Sequence, residues 1–338
     1  MYLIMNSSLV VDTKFGQLVL GGLNQGGGIQ SIEIEESVVE MGGTCKVTVP
    51  QNIREFQGKS IREFLNEGDK AYVYFGYNGE LALEFSGYLL DIPTDAPMQL
   101  TLADEFYPFR KNKVTQSYKA VTLKQLLNDI APGYKIVCPG VNLGKQVIDN
   151  ATTFQVLKNL NETYGFYSYI RSGTLFCQFA YDVRGLAPQQ HTYYLCDDHT
   201  GKTVKRLGNV RKNDLKYKKA DATDIRIEVV STQSTGKKVK ADVGSKVKGA
   251  SVRKLNLPHG QSEKQVKEIA EKMHKGLSFD GFRGSITGYG IPRTNAGDSL
   301  NLVDFDFPDK NGIYLIEKVI KKYSDEGIER ENTLSYKI

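Results

Sequence analysis

The chain has no tryptophan, and only four histidines and four cysteines in 338 residues. So few histidines limit chemistry that turns on an imidazole. No serine or cysteine lies in a G-x-S-x-G elbow or another recognised nucleophile context. Cys45, Cys138, Cys177 and Cys196 are widely spaced, which excludes the dense disulfide framework of a small secreted domain and fits reduced thiols. No stretch approaches the roughly 18 apolar residues of a membrane span. The opening residues MYLIMNSSLVVD carry neither a basic n-region nor a long apolar core, so synthesis and folding in the cytoplasm, without a membrane anchor, is expected.

What is present favours strands. Gly reaches 33, Tyr 19 and Phe 15, within a chain that is 40% hydrophobic and 25% charged. That is an ordinary globular balance for two or three domains, rich in β-formers and turn residues. Ser31–Glu36 (SIEIEE) and Cys45–Val49 (CKVTV) alternate cleanly and predict half-buried antiparallel strands. Gly68-Asp69 opens the run Ala71–Tyr77, Asn78-Gly79 is a turn dipeptide suited to positive φ, and Leu83–Ile92 returns. Late in the chain Gly297-Asp298 opens Ser299–Phe307, the residues Pro308-Asp309-Lys310-Asn311-Gly312 turn, and Ile313–Ile320 returns. Before each Gly-Asp lies a helix signal, Ser60–Glu67 or Ser262–Lys275. Before each helix lie two strand-like runs, Ser31–Glu36 with Cys45–Val49, and Asp224–Val230 with Lys238–Val243. The expectation is an internal duplication with something different between the copies.

The intervening stretch changes period from 3.6 to 2. Thr122 with Gln125 caps a short helix that Pro132-Gly133 stops, and Thr152 with Gln155 caps a helix bearing Phe154, Leu157, Leu160 and Tyr164, which Gly165 ends. Strands Phe166–Ile170 and Leu175–Phe179 follow. The predicted fold class is a β-rich α+β chain: a first β-module over 1–112, an α+β domain over 113–200, and a second β-module with a helix over 201–338.

The run NATTFQVLKNLNETYGFYSYIRSGTLFCQF, followed by FRGSITGYGIPRTNAGDSLNL and NGIYLIEKVIKKYS, resembles the baseplate hub proteins of contractile phage tails. These are late control protein D and its relatives, cousins of the N-terminal part of the valine-glycine-repeat spike proteins of type VI secretion. The resemblance covers nearly the whole chain and rests on structural patterns, with no active-site signature. It implies a homotrimer in which each chain lends two tube-type β-barrels, a pseudo-sixfold ring joining a hexameric tail tube to a trimeric spike. Tail tube or tape-measure protein and a spike are the implied partners, within a virion baseplate or a related injection particle. Because the chain ends at Ile338, directly after the second module, a separate spike protein is expected.

Other chemistries are weaker. Gly21–Gly28 is glycine-rich but lacks the Lys-Ser/Thr of a P-loop, and Gly58-Lys59-Ser60 has Ile53 where that motif needs glycine; Ser60 with Glu63 reads better as a capping box. Cys177, His191, Cys196 and His199 do not form the two close-spaced doublets of a zinc site. Asp304 and Asp306 recommend a glycan hydrolase or glycan-binding protein as the alternative function, though alternating acids beside a turn are ordinary. Neither a catalytic residue nor a cofactor is predicted. Lys202–Lys254 holds sixteen Lys or Arg against five Asp or Glu, a local balance of +11. Within it Lys238, Lys240 and Asp242 share one face at period two and are the predicted interface residues. Specific binding of nucleic acid there is not expected, because such alternation is that of a solvated strand face.

Overall fold

The computed structural model describes residues 3–22, 28–49, 55–56, 59–94, 97–179, 189–198, 207–219, 224–233, 236–258, 260–308 and 311–338, with only the backbone described at 55, 56 and 59. Among the expectations above, those on Ile53, on His199 and on the middle of the Gly21–Gly28 loop fall outside these residues.

The N-terminal part comprises β1 (Met5–Thr13), β2 (Gly16–Gly21), β3 (Ser31–Ser37), β4 (Thr44–Val49), the two-residue strands β5 (Glu55–Phe56) and β6 (Lys59–Ser60), β7 (Lys70–Tyr77), β8 (Glu80–Asp91) and β9 (Met98–Ala103). Alternation sets its faces. Ile32 and Ile34 of β3, and Cys45, Val47 and Val49 of β4, are buried with Leu9, Val73 and Leu100 in one core. The β7–β8 hairpin turns on Asn78 (φ 53°) and Gly79 (φ 85°), the double positive φ that an Asn-Gly pair accommodates.

The middle part comprises α1 (Tyr107–Lys111), β10 (Lys113–Thr122), α2 (Leu123–Ile130), β11 (Lys135–Val137), β12 (Asn142–Thr152), α3 (Thr153–Tyr164), β13 (Phe166–Arg171) and β14 (Thr174–Phe179). α2 and α3 begin at the caps read from sequence: Thr122 Oγ1 accepts the Gln125 N–H and Thr152 Oγ1 that of Gln155, each at 3.2 Å. Gly165 closes α3 at φ 69°. The β10–β12 pair had no strand signal because most of its side chains are exposed or partly so, leaving little apolar alternation to read.

The C-terminal part comprises β15 (Gln190–Tyr194), β16 (Val210–Asn213), β17 (Lys216–Lys218), β18 (Ile225–Thr232), β19 (Lys238–Gly244), β20 (Ser251–Leu257), α4 (Glu263–Leu277), β21 (Gly281–Tyr289), β22 (Ser299–Val303), β23 (Gly312–Ser324) and β24 (Gly327–Lys337). Tyr193, Ile286, Leu300, Leu302 and Ile316 form its core.

The N- and C-terminal parts share one strand path, with different members from those expected. Neighbours in the N-terminal sheet run β3-β4-β9-β8-β7-β1, and those in the C-terminal part run β16/β17-β21-β24-β23-β22-β15. The two paths match strand for strand in chain order, although β1 lies antiparallel to β7 and β15 parallel to β22. The match reaches single hydrogen bonds. In Asn66-Glu67-Gly68-Asp69 the Asn66 N–H donates to Asp69 Oδ2 at 2.8 Å, the Asp69 N–H to Asn66 O at 3.1 Å, and the Gly68 N–H to Leu89 O at 2.8 Å. In Asn295-Ala296-Gly297-Asp298 the same three bonds measure 3.0, 3.1 and 2.8 Å, the last to Ile316 O. Gly68 and Gly297 share φ values of 89° and 88°. A register shift follows each at the same place, between Leu89 and Asp91 and between Ile316 and Lys318.

Two sequence expectations are thereby corrected. The runs Asp224–Val230 and Lys238–Val243 are not the counterparts of Ser31–Glu36 and Cys45–Val49. With β20 they make a separate sheet ordered β19-β18-β20, covered by α4, whose Ile227, Val229, Leu255, Val266 and Ala270 join the core of the middle part. An alternating pattern tells which face is buried but not against which partner, so the two candidate pairs looked alike. The Ser60–Glu67 helix is a single 3-10 turn, Ile61–Glu63: Asn66 is drawn into the Asn66–Asp69 turn, which takes the residues a second helical turn needs. The Ser60–Glu63 capping box is nonetheless formed.

Candidate assembly interface

The two duplicated sheets are joined edge to edge inside the chain. β3 pairs antiparallel with β23, with Glu35 opposite Ile320, Glu33 opposite Lys322 and Ser37 opposite Lys318. The acidic strand SIEIEES therefore lies along the basic stretch Lys318–Lys322. Lys318 reaches Glu35 at 2.5 Å, Lys321 reaches Glu36 at 2.9 Å and Lys322 reaches Glu33 at 3.6 Å. The part-exposed pairs Lys318–Glu35 and Lys322–Glu33 contribute about 0–1 kcal/mol each, so their main effect is to select a partner strand.

Behind this seam lies a buried charge network that sequence reading missed. Arg330 on β24 donates to Glu84 Oε1 of β8 at 2.5 Å and to the carbonyls of Gly290 and Thr294 at 3.0 and 3.3 Å. Lys321 donates to Asn295 Oδ1 at 2.9 Å and to Glu84 O at 3.1 Å. Glu84, Lys321 and Arg330 are all fully buried, and Glu36 supplies the second negative charge. Their signal was available: Lys321 alternates with Val319, and Arg330 with Ile328, at inward positions where a charge must find partners.

A third tie links the middle part to the C-terminal sheet. Asp298, fully buried, accepts from Arg171 of β13 at 2.7 Å and pairs with His191 Nε2 of β15 at 3.1 Å. Burial alone raises a carboxyl pKa, but the bonds from His191 and Arg171 outweigh it and hold Asp298 below the usual range. Beside Arg171 a cavity of about 420 Å³ opens between the three parts, lined also by Glu36, Asp104 and Glu105. Burial pushes Asp104 up to about 6, against the lowering effect of N–H bonds from Gly43 and Phe106.

Lys238, Lys240 and Asp242 share one exposed face of β19, as their period implies, while Val239, Ala241 and Val243 turn towards the middle core. Asp242 is held by Arg226, whose Nε and Nη2 donate at 2.8 and 2.5 Å, and this pairing keeps its carboxyl below the ordinary value. The cationic residues of that face are Lys238 and Lys240.

Of the residues weighed for metal binding, the described ones, Cys177, His191 and Cys196, are not brought together. Cys177 lies in the middle core, where burial pushes its thiol up to about 12, and His191 is committed to Asp298. Cys196 instead meets Asp304 and Asp306, with donor atoms within 4.8 Å. Asp304 Oδ1 accepts the N–H groups of Asp306 and Phe307, so this carboxylate builds the turn after β22. Among the described residues no helix is long and apolar enough to cross a membrane.

In its fold the chain is similar to phage tail proteins and to a type VI secretion component. The chain is similar to a tail protein from Neisseria meningitidis, with a TM-score of 0.62 at 13% identity, covering 97% of this chain and 96% of that one. Similarity to the 43 kDa tail protein of prophage MuSo2 from Shewanella oneidensis gives 0.60 at 15% identity, covering 97% and 98%. An E. coli component of the type VI secretion system gives 0.53 at 10% identity, covering 93% and 75%. No family model and no curated protein matches the sequence.

Proposed function

We infer that the protein is a non-enzymatic baseplate hub of a contractile phage tail or related injection particle. Three chains form a ring of six tube-type modules, two from each chain, between a hexameric tail tube or tape-measure protein and a trimeric spike. The observation that carries this reading is the repeated Asn-x-Gly-Asp hairpin module, set in the same strand path on both sides of one internal seam. A chain that has already joined two equivalent modules edge to edge has solved one third of a six-module ring. Two or four chains supply four or eight modules and fail to match a sixfold tube, so the ring is a trimer with heterologous, closing contacts. In this reading the first module spans 1–112. The second uses 201–338 apart from the inserted β18–α4 unit, together with β15 (Gln190–Tyr194), and each closes into a barrel.

The test is light scattering over a range of concentrations, with and without candidate spike and tube proteins. A trimer, free or stabilised by its partners through mass action, is the expected state. A chain that stays monomeric with its partners, or forms a stable dimer, overturns the hub reading.

A further inference from the structure

Matching the two sheets residue by residue identifies the outer edges that correspond to the internal seam. The pairs Leu89–Leu102 and Asp91–Thr101 of the first sheet correspond to Ile316–Leu334 and Lys318–Thr333 of the second. Asp91 thus stands where Lys318 stands. On the other side, Glu35 opposite Thr44 corresponds to Lys216 opposite Arg283, and Ser37 corresponds to Lys218. The internal ion pair Glu35–Lys318 therefore has a counterpart, Lys216 and Asp91, with both charges reversed.

These two counterparts are not in contact with each other within one chain. Among the described residues β17 pairs only with β21 and no strand lies along its outer edge, and Lys216 and Lys218 are exposed. Asp91 is exposed at the end of β8. Each carries an exposed apolar neighbour, Tyr217 at 38% and Leu90 at 41%.

We propose that the β17 edge of one copy docks on the Asp91 end of β8 in a second copy, with Lys216 and Lys218 facing Asp91, as a charge-inverted repeat of the β3–β23 seam. The inference rests on the ring reading above and specifies its contact between chains. Charge inversion also dictates the order of modules. β3 against the Asp91 end opposes acid to acid, and β17 against β23 opposes base to base, so a module of one kind accepts only the other kind as neighbour. Pro93, two residues beyond Asp91, lacks an N–H, so side chains carry the contact and the backbone ladder across it is short.

The experiment uses the full chain with Lys216→Glu, Asp91→Lys and both together, each followed by sedimentation at several concentrations. Thermal melting serves as the folding check. Each single variant is expected to melt as the parent does and to raise the trimer dissociation constant about tenfold or more, since like charges then face each other. The double variant restores opposite charges and is expected to return to within about threefold. Single variants that trimerise as the parent does, or a double variant no better than the singles, overturn this contact and leave the trimer standing. A parent chain that is monomeric throughout, with its spike and tube partners present, overturns the ring reading and this contact with it.

Discussion

Glu84 and Arg330, 246 residues apart in the chain, meet at 2.5 Å with neither side chain more than 3% exposed. Arg330 belongs to the second module's hairpin and Glu84 to the first, so the contact fixes how the two sheets sit against each other. Lys321 lies 3.5 Å from the same carboxylate and 2.9 Å from Glu36, so Glu84 serves both buried cations and Glu36 assists one of them.

Removing that anion is expected to cost more than removing any surface charge. Glu84→Ala strands Arg330, while Lys321 keeps Glu36 at 2.9 Å, and is expected to destabilise the fold by about 3–5 kcal/mol. Glu162→Ala, which breaks only the exposed helical pair with Lys158, is expected to cost less than about 1 kcal/mol. Urea unfolding of the two variants and the parent measures the difference.

The matched turns also predict an asymmetry. Asp69 and Asp298 make the same turn bonds, but only Asp298 takes Arg171 and His191 as well. Asp69→Ala is expected to cost about 1–2 kcal/mol and Asp298→Ala about 3 kcal/mol or more, because the latter leaves a guanidinium without its carboxylate. Gly68→Ala and Gly297→Ala, which need φ near 90°, are each expected to cost about 1–2 kcal/mol. Chemical denaturation of these four variants decides the point.

Asp104 gives a pH signature. Its pKa is raised from 3.8 to about 6 by burial, so the folded state holds this proton more tightly than the unfolded chain. The Asp104 contribution to stability is full below about pH 4 and is lost as pH rises through 6, on the order of 2–3 kcal/mol. Asp298 has the opposite sign: its folded pKa is depressed, so its contribution is present above the ordinary carboxyl range and is lost as pH falls below it. Stability measured from pH 3 to 8 in the parent and in Asp104→Asn is expected to show a falling slope between 4 and 6 only in the parent.

Charge reversal at Lys238 and Lys240 tests the face read from sequence. Both are exposed on β19, so the double Lys→Glu variant is expected to leave the melting temperature within about 2 °C of the parent, as for other surface changes. We propose that this face meets another subunit or an acidic ring, so the reversal is expected to weaken assembly, most clearly at low salt where charges are least screened. An unchanged sedimentation profile, alone and with partners, counts against an interface there.

Much of this protein was legible because short-range physics wrote it. The Ser31–Glu36 alternation, the Asn78-Gly79 turn, the caps at Thr122 and Thr152, and the Gly-Asp that opens each hairpin are all decided by a few neighbouring residues. Those signals were enough to see a duplication and the tail-protein resemblance. Which strands answered to which was decided elsewhere. β18 and β19 carry the same alternating pattern as β3 and β4, yet their apolar face goes to the middle core, because a strand's pattern specifies a buried side and leaves its partner open. Arg330, Lys321 and Glu84 likewise look like ordinary charges until the sheet path brings them together away from water, where each is tolerable only because the others are there. Local sequence set the turns, caps and faces; pairing across hundreds of residues chose the seam, since only the assembled sheets bring Glu35 to Lys318 and leave Lys216 and Asp91 exposed on outer edges.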